Sequence, residues 1–238
     1  MTGPAAQDQT PEADSASWRE AAVARSLDPA RKRAEKRVQR FLDAAMELLA
    51  DNEASEFTVQ AVVDRSGQSL RSFYQYFGGK QELLMALFEE SVRSTAEHLH
   101  GRIAGEDDVL ERLHLLVVEY YRMCRPDKKR KAAKDAKVGS GPASSSVMVE
   151  FAQQLLTARP ADAARVFVPL VSLFEETIEA AVDAGAIRPD FDRRRVTGVI
   201  LESIMFNAFA ATIAGVSLRT DDDPAEEIWD VLFRGLTV

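Results

Sequence analysis

Two capped helix starts that lie close together in the chain constrain its fold more than any other feature. Thr58 and Ser69 both carry the short hydroxyl side chain that accepts a hydrogen bond from the first turn of a helix. The apolar residues on either side of Thr58 have the spacing of a hydrophobic staple, so a helix is predicted to begin at Val59. Gly67 then provides the left-handed residue that ends such a helix. The stretch therefore predicts two short helices joined by a tight turn, the helix-turn-helix arrangement.

The second of these helices ends in the pattern Tyr74-x-x-Phe77-x-x-Lys80. With this ending, the stretch resembles the DNA-binding domain of the TetR family of bacterial transcriptional regulators. The other positions that match the family pattern are Thr58, Val59, Val62, Gly67, Ser69, Ser72, Phe73 and Leu83. Two positions depart from it. Gln68 replaces an apolar turn residue and is expected to loosen the turn, and Tyr76 replaces a common histidine and is expected to change a phosphate contact.

The distribution of charge favours DNA binding at one end of the protein. The net charge of −8 argues against a nucleic-acid partner, because such binding relies on neutralising phosphates. However, residues 31–80 hold nine Lys/Arg and seven Asp/Glu, whereas residues 81–238 hold 19 Lys/Arg and 26 Asp/Glu. A mildly basic head on an acidic body is consistent with a regulator that binds DNA through its head.

Several classes of protein are disfavoured by what the sequence lacks. It has no run of 18 apolar residues and no signal-peptide pattern at its start, so we expect a cytoplasmic protein without a membrane partner. The single cysteine, Cys124, excludes an intrachain disulfide and a multi-cysteine metal site. No metalloprotease, nucleophile-elbow or dinucleotide motif occurs, so an enzyme is the weaker alternative, and no cofactor or metal is expected.

The domain organisation follows from helix signals along the chain. Residues 1–27 are predicted to be a flexible tail, 28–79 the helix-turn-helix domain, and 80–238 an effector-binding and dimerisation domain. Asp28 and Pro29 are the predicted start of the first helix, and Lys80 starts a long helix that connects head and body. No strand pattern appears, so we predict an all-α fold of about nine helices. The resemblance implies a three-helix head and a six-helix body.

Two basic segments are candidates for phosphate contact. Arg33, Lys36, Arg37 and Arg40 fall on one face of the first helix; a solvated face is the plain alternative, and their position just before the helix-turn-helix favours phosphate contact. The second segment, residues 128–137, is predicted to be a solvated loop. A second nucleic-acid contact or a lid over an acidic ligand are its alternatives.

The predicted DNA contacts divide into base and phosphate contacts. Base contacts are predicted for Gln60, Leu70, Arg71 and Gln75, because long polar side chains form bidentate bonds with base edges and Leu70 is a candidate for a thymine methyl. The full set predicted to contact phosphates is Arg33, Lys36, Arg37, Arg40, Thr58, Ser69, Ser72, Tyr74, Tyr76 and Lys80.

The resemblance also implies roles for the body. A pocket for a small apolar or amphipathic effector would involve Tyr120, Tyr121, Met148, Phe151, Phe167, Phe174 and Phe206, for which plain core packing is the alternative. A homodimer interface would involve Ile200, Ile204, Trp229 and Phe233. The implied function is a repressor released from a palindromic operator by its effector. A DNA-organising protein without a ligand is the alternative.

Overall fold

The computed structural model describes residues 12–50, 57–124, 146–214 and 223–234, which form nine α-helices and no β-strand. This result confirms the all-α prediction. The helices are α1 (Glu12–Ala50), α2 (Val59–Ser66), α3 (Leu70–Tyr76), α4 (Lys80–Ile103), α5 (Val109–Cys124), α6 (Ser146–Ala158), α7 (Pro160–Asp183), α8 (Arg193–Ala214) and α9 (Pro224–Phe233). In these ranges no helix combines the length and apolar character that crossing a bilayer requires. The basic segment 128–137 lies outside the described residues.

Helix α1 begins much earlier than the sequence predicts. It runs without interruption from Glu12 and contains Pro29, so the predicted helix start at Asp28 is wrong and residues 12–27 of the predicted tail are helical. A proline inside a helix removes one hydrogen bond and costs about 3 kcal/mol. The sequence before Pro29 is rich in alanine, the residue with the highest helix propensity, and this offsets part of that cost. The rest of the predicted tail, residues 1–11, lies outside the described residues.

An aromatic cluster holds the head together. Phe41 of α1 contacts Phe73 of α3 and Phe77 just after it, edge to face, with ring centroids 5.5 and 6.1 Å apart. Helix α2 adds the buried side chains Val62 and Val63. All three rings are buried, and each aromatic pair stabilises by about 0.5–1.5 kcal/mol beyond the burial of its area. The cluster therefore fixes α3 against α1.

Helix α4 connects the head to the body. It contacts α1 in the head and α5, α6 and α7 in the body. Phe88 of α4 packs against Phe151 of α6 and Phe167 of α7, with ring centroids 6.0 and 5.6 Å apart. A displacement of α6 or α7 at these rings therefore reaches the helix that continues into the head.

The last two helices pack on the body of their own chain. Ile200 and Ile204 of α8 and Phe233 of α9 are only 1%, 0% and 2% exposed, and the half-buried Trp229 stacks on Phe233. The prediction that these residues form a dimer interface is therefore wrong for the three buried ones. Their apolar periodicity identifies a buried face correctly, but periodicity does not tell whether the same chain or a second copy covers that face.

Phe206 of α8, which was predicted to line the effector pocket, lies on the surface of the described chain. Its side chain is 50% exposed, whereas Ile204 is fully buried. Side chains two residues apart in a helix differ by about 200° in direction, so Ile204 and Phe206 point to nearly opposite sides of α8.

Candidate nucleic-acid interface

The two predicted helix caps are both present. The side-chain oxygen of Thr58 accepts a hydrogen bond from the backbone N–H of Ala61 at 3.1 Å. Ser69 accepts one from the backbone N–H of Ser72, also at 3.1 Å. Gly67 ends α2 with φ +64°, a conformation that favours glycine. These contacts confirm the helix-turn-helix prediction.

Gln68 anchors the turn, contrary to the expectation that it loosens it. Its side-chain Nε2 donates a hydrogen bond to the backbone carbonyl of Arg37 in α1 at 2.9 Å. Its backbone N–H donates to the carbonyl of Val63 at 3.4 Å. Sequence reasoning missed this role because the acceptor is a main-chain atom of a distant residue, and no pattern of side chains reveals such a partner.

A cleft of about 350 Å³ lies between α1 and the recognition helix α3. It brings together side chains that the sequence assigned separately to phosphates and to bases. Its lining residues are Arg37, Arg40, Gly67, Gln68, Ser69, Arg71, Ser72 and Gln75. Arginine side chains and the exposed Ser69 around a shared opening form a typical arrangement for binding a phosphate oxygen.

The basic face of α1 carries charge that no neighbouring carboxylate neutralises. Within the described ranges, the four cations Arg33, Lys36, Arg37 and Arg40 are exposed and form no ion pair. The two cations just before them do form ion pairs: Arg31 pairs with Glu35, and Lys32 pairs with Asp28, both at 2.7 Å. The unneutralised charge is therefore concentrated next to the cleft.

The predicted base contacts all lie on the outer surface of the head. Gln60, Arg71 and Gln75 are exposed, and Gln60 Nε2 donates a hydrogen bond to Asp64 Oδ1 at 2.7 Å. Leu70 is 42% exposed. Its position resolves the conflict between helical periodicity, which places it in the core, and the family pattern, which places it outward.

The predicted phosphate contacts outside α1 differ in their accessibility. Tyr74 is 57% exposed, whereas Tyr76 is half-buried against the core. The Lys80 ammonium lies 5.4 Å from the centroid of the Phe57 ring. The Ser72 hydroxyl is buried and has no partner among the described residues, so the contact predicted for it is not available in this conformation.

Most of the residues predicted to line an effector pocket are packed in the core of the body. Tyr120 contacts Phe174 with ring centroids 5.7 Å apart, and the Tyr121 hydroxyl donates to Asn207 Oδ1 at 2.9 Å. Met148 and Phe151 are buried. Neither the cleft in the head nor a second concavity, between α5 and α9, is lined by these side chains.

Burial raises the pKa of the Cys124 thiol to about 12, so this thiol stays protonated.

A second concavity, of about 450 Å³, lies between α5 and α9 and was not predicted. At its centre, His114 Nε2 lies 2.6 Å from Glu226 Oε2, and Nδ1 lies 3.3 Å from Glu111 Oε1. Burial lowers the pKa of His114, but the hydrogen bonds to Glu226 and Glu111 outweigh that effect and raise the pKa above its ordinary value. A second link between the helices joins Arg122 to Asp223 at 2.7 Å.

Residues 41–87 match the family model of bacterial regulatory proteins, tetR family. The matched segment includes α2, the turn and α3. Among curated relatives, the uncharacterized HTH-type transcriptional regulator YvdT of Bacillus subtilis (strain 168) is 26% identical over 83 residues, which are 35% of this chain and 43% of that protein. The fatty acid metabolism regulator protein of the same organism is 25% identical over 87 residues, 37% of this chain and 45% of that protein. The match spans less than half the length of either relative.

The fold is similar to that of the transcriptional regulator FadR from Bacillus subtilis, whose crystal structure is a complex with stearoyl-CoA. The TM-score is 0.59 at 17% sequence identity, and the match covers 82% of this chain and 95% of that chain. At this identity the similarity concerns the fold alone. Residues 41–87 therefore carry the DNA-binding region typical of the tetR family of bacterial regulatory proteins, and the fold of the described residues is similar to that of a solved TetR-family transcription regulator.

Proposed function

We propose that this protein is a transcriptional regulator that binds a specific DNA operator through α3 and the basic face of α1. The observation that carries this proposal is the cleft in the head. There, Arg37 and Arg40 of α1 face Arg71 and Gln75 of α3 around one opening. Phosphate-binding and base-reading side chains at a shared surface are what sequence-specific DNA recognition requires.

In the proposed complex, α3 enters the major groove. Arg71 would donate two hydrogen bonds to a guanine edge, and Gln75 would bind an adenine edge. The Leu70 side chain would contact a thymine methyl group. The cations of α1 would bind the phosphates beside the groove, which fixes the register of α3 without reading sequence.

We further propose that the protein is a repressor released by a small apolar or amphipathic effector. Support comes from the relatives, one of them a fatty acid metabolism regulator and another bound to stearoyl-CoA. In this chain most of the side chains predicted to line an effector pocket are packed in the core of the body, so an effector would have to part them. Phe88 of α4 contacts two of these rings. Their separation would shift the equilibrium between two positions of α4, and with it the position of the head.

The proposed partner in DNA binding is a second copy of the chain, since a two-fold symmetric dimer matches a palindromic operator. The exposed side chains of α8 offer a contact surface in place of the buried residues. Val199 and Phe206 are 52% and 50% exposed and lie seven residues apart, two turns along one face. Residues 28–79 would then form the DNA-binding domain and residues 80–238 the effector-binding and dimerisation domain, in a protein that works in the cytoplasm.

Selection of bound fragments from the source genome tests the DNA-binding proposal. The expected result is enrichment of a palindromic sequence. Arg71→Ala should then relax the preference at one base pair, whereas Lys80→Ala should weaken binding to operator and random DNA alike. Equal losses on both DNAs for the Arg71 variant would contradict its role as a base contact.

The effector proposal is tested separately, with stearoyl-CoA as the probe because it is the ligand of the similar structure. Saturating ligand should lower the affinity for the selected operator. Unchanged operator affinity would rule out this ligand, and would favour the alternative of a DNA-organising protein if related acyl chains gave the same result.

A further inference from the structure

The amino-terminal end of α3 has few apolar anchors. Phe73 and Phe77 hold the carboxyl-terminal half of the helix against Phe41. Leu70, in the first turn, is 42% exposed and leaves that end without a buried apolar side chain. A short helix fastened only at one end can pivot about that end. The attachment of the other end therefore determines its direction.

That attachment is the hydrogen bond from the Gln68 side chain to the carbonyl of Arg37. The bond joins the turn to the same part of α1 whose side chains Arg37 and Arg40 line the cleft. It therefore relates the phosphate-binding wall of the cleft to the base-reading wall. An apolar residue at this position would fill space, but a hydrogen bond also has a preferred distance and angle.

We propose that Gln68 is a positioning residue that sets the orientation of α3 relative to α1, and thereby the discrimination between operator and random DNA. This inference rests on the proposed DNA-binding function. Binding to random DNA depends on phosphate contacts, which tolerate a small rotation of α3. Base contacts by Arg71 and Gln75 do not tolerate it, because bidentate bonds need both atoms in place.

The variant Gln68→Met tests this role, because the methionine side chain has a similar length and no hydrogen-bond donor. We expect the ratio of operator to random-DNA affinity to fall by about threefold to tenfold, the range of one net hydrogen bond. Affinity for random DNA should stay within about twofold. Gln154→Met is the matched control, since Gln154 is exposed on α6 and its side-chain amide donates to Glu150 of the same helix.

A purely structural role for Gln68 would produce a different result. In that case Gln68→Met would lower the unfolding midpoint and weaken the binding to operator and to random DNA by the same factor. That outcome would overturn the proposal. A second variant, Gln68→Leu, restores the apolar turn residue that the family pattern shows and keeps the head packed. It should lose the same discrimination as the methionine variant, and a wild-type ratio in the leucine variant would also overturn the proposal.

The failure of the broader function has its own signature. If the wild-type protein enriches no sequence from the genome, the proposed DNA-binding function fails. If the wild-type protein enriches an operator and either Gln68 variant discriminates as well as it does, only the positioning role fails.

Discussion

The rings of Phe41 and Phe73 are both fully buried and meet edge to face at an interplanar angle of 89°. Phe73 also contacts Phe77, with ring centroids 5.3 Å apart. The orientation of the recognition helix therefore depends on a packing contact beneath it as well as on the turn before it.

Removal of the Phe73 ring should destabilise the head strongly. Phe73→Ala leaves a cavity next to Phe41 and should lower the free energy of unfolding by about 3–5 kcal/mol. Urea denaturation followed by circular dichroism measures this change. Tyr74→Ala is the matched control, because Tyr74 is 57% exposed and should cost much less. Equal losses in the two variants would contradict the packing assigned to Phe73.

Two glycines should respond to alanine in opposite directions. Gly67 has φ +64°, so Gly67→Ala should destabilise by about 1–2 kcal/mol. Gly101 lies within α4, and a Cβ added there meets no atom within 4 Å. Gly101→Ala should therefore stabilise by about 0.5–1 kcal/mol, because alanine is the better helix former. Thermal unfolding of both variants checks the pair, and a shift of the same sign in both would refute the explanation.

The unneutralised cations of α1 should determine the salt dependence of DNA binding. Arg37→Ala should reduce the slope of log affinity against log salt by about one, the effect of one lost phosphate contact. Arg31→Ala should leave the slope nearly unchanged, because Arg31 is paired with Glu35. Titrations of the selected operator fragment at several salt concentrations provide the measurement. A normal slope for the Arg37 variant would exclude it from the phosphate contacts.

The link between His114 and Glu226 should make stability depend on pH. The pKa of His114 is raised in the folded protein, so its contribution is fully present below the ordinary value of 6.5 and is lost as pH rises through the raised pKa. Glu226→Gln should lower the pKa of His114 and flatten this dependence. NMR titration of the histidine ring measures the pKa directly. Glu227→Gln, at the exposed neighbouring position, should leave it unchanged, and an unchanged pKa in the Glu226 variant would contradict the assigned cause.

The exposed ring on α8 provides a test of the proposed dimer. Phe206→Ser should weaken self-association, which analytical ultracentrifugation measures as a larger dissociation constant. Val168→Ser is the control, because Val168 of α7 is similarly exposed at 54%. If the Phe206 variant associates as tightly as the wild type, α8 does not contribute this contact.

The head was predictable from sequence because its signals are local. Caps such as Thr58 and Ser69 act on backbone groups two or three residues away, and Gly67 satisfies a requirement of its own backbone. The amphipathic face around Phe73 follows from helical spacing alone. These features specify helix ends and buried faces without reference to the rest of the chain.

The errors concern relations that local signals do not contain. Pro29 is a common helix start, and nothing near it tells that the helix has already begun. Ile200 and Phe233 were assigned to a partner copy, although both are buried in their own chain, where α5 and α7 pack on α8 and α5 packs on α9. The contacts of Gln68 with Arg37 and of His114 with Glu226 join residues far apart in sequence, so only the folded arrangement reveals them.

The unusual length of α1 has a consequence for the energetics of the arm before the head. From Trp18 to Arg33 the described side chains are exposed or half-buried, and the fully buried positions of this helix begin at Phe41. The described side chains of the arm therefore bury little surface, and backbone hydrogen bonds with helix propensity are marginal for a short isolated helix. Its amides should exchange with solvent much faster than those after Phe41, through opening that leaves the head folded. The fraction of the arm that is helical can thus change independently of the rest of the protein. Temperature or a nearby polyanion would shift this fraction without unfolding the protein.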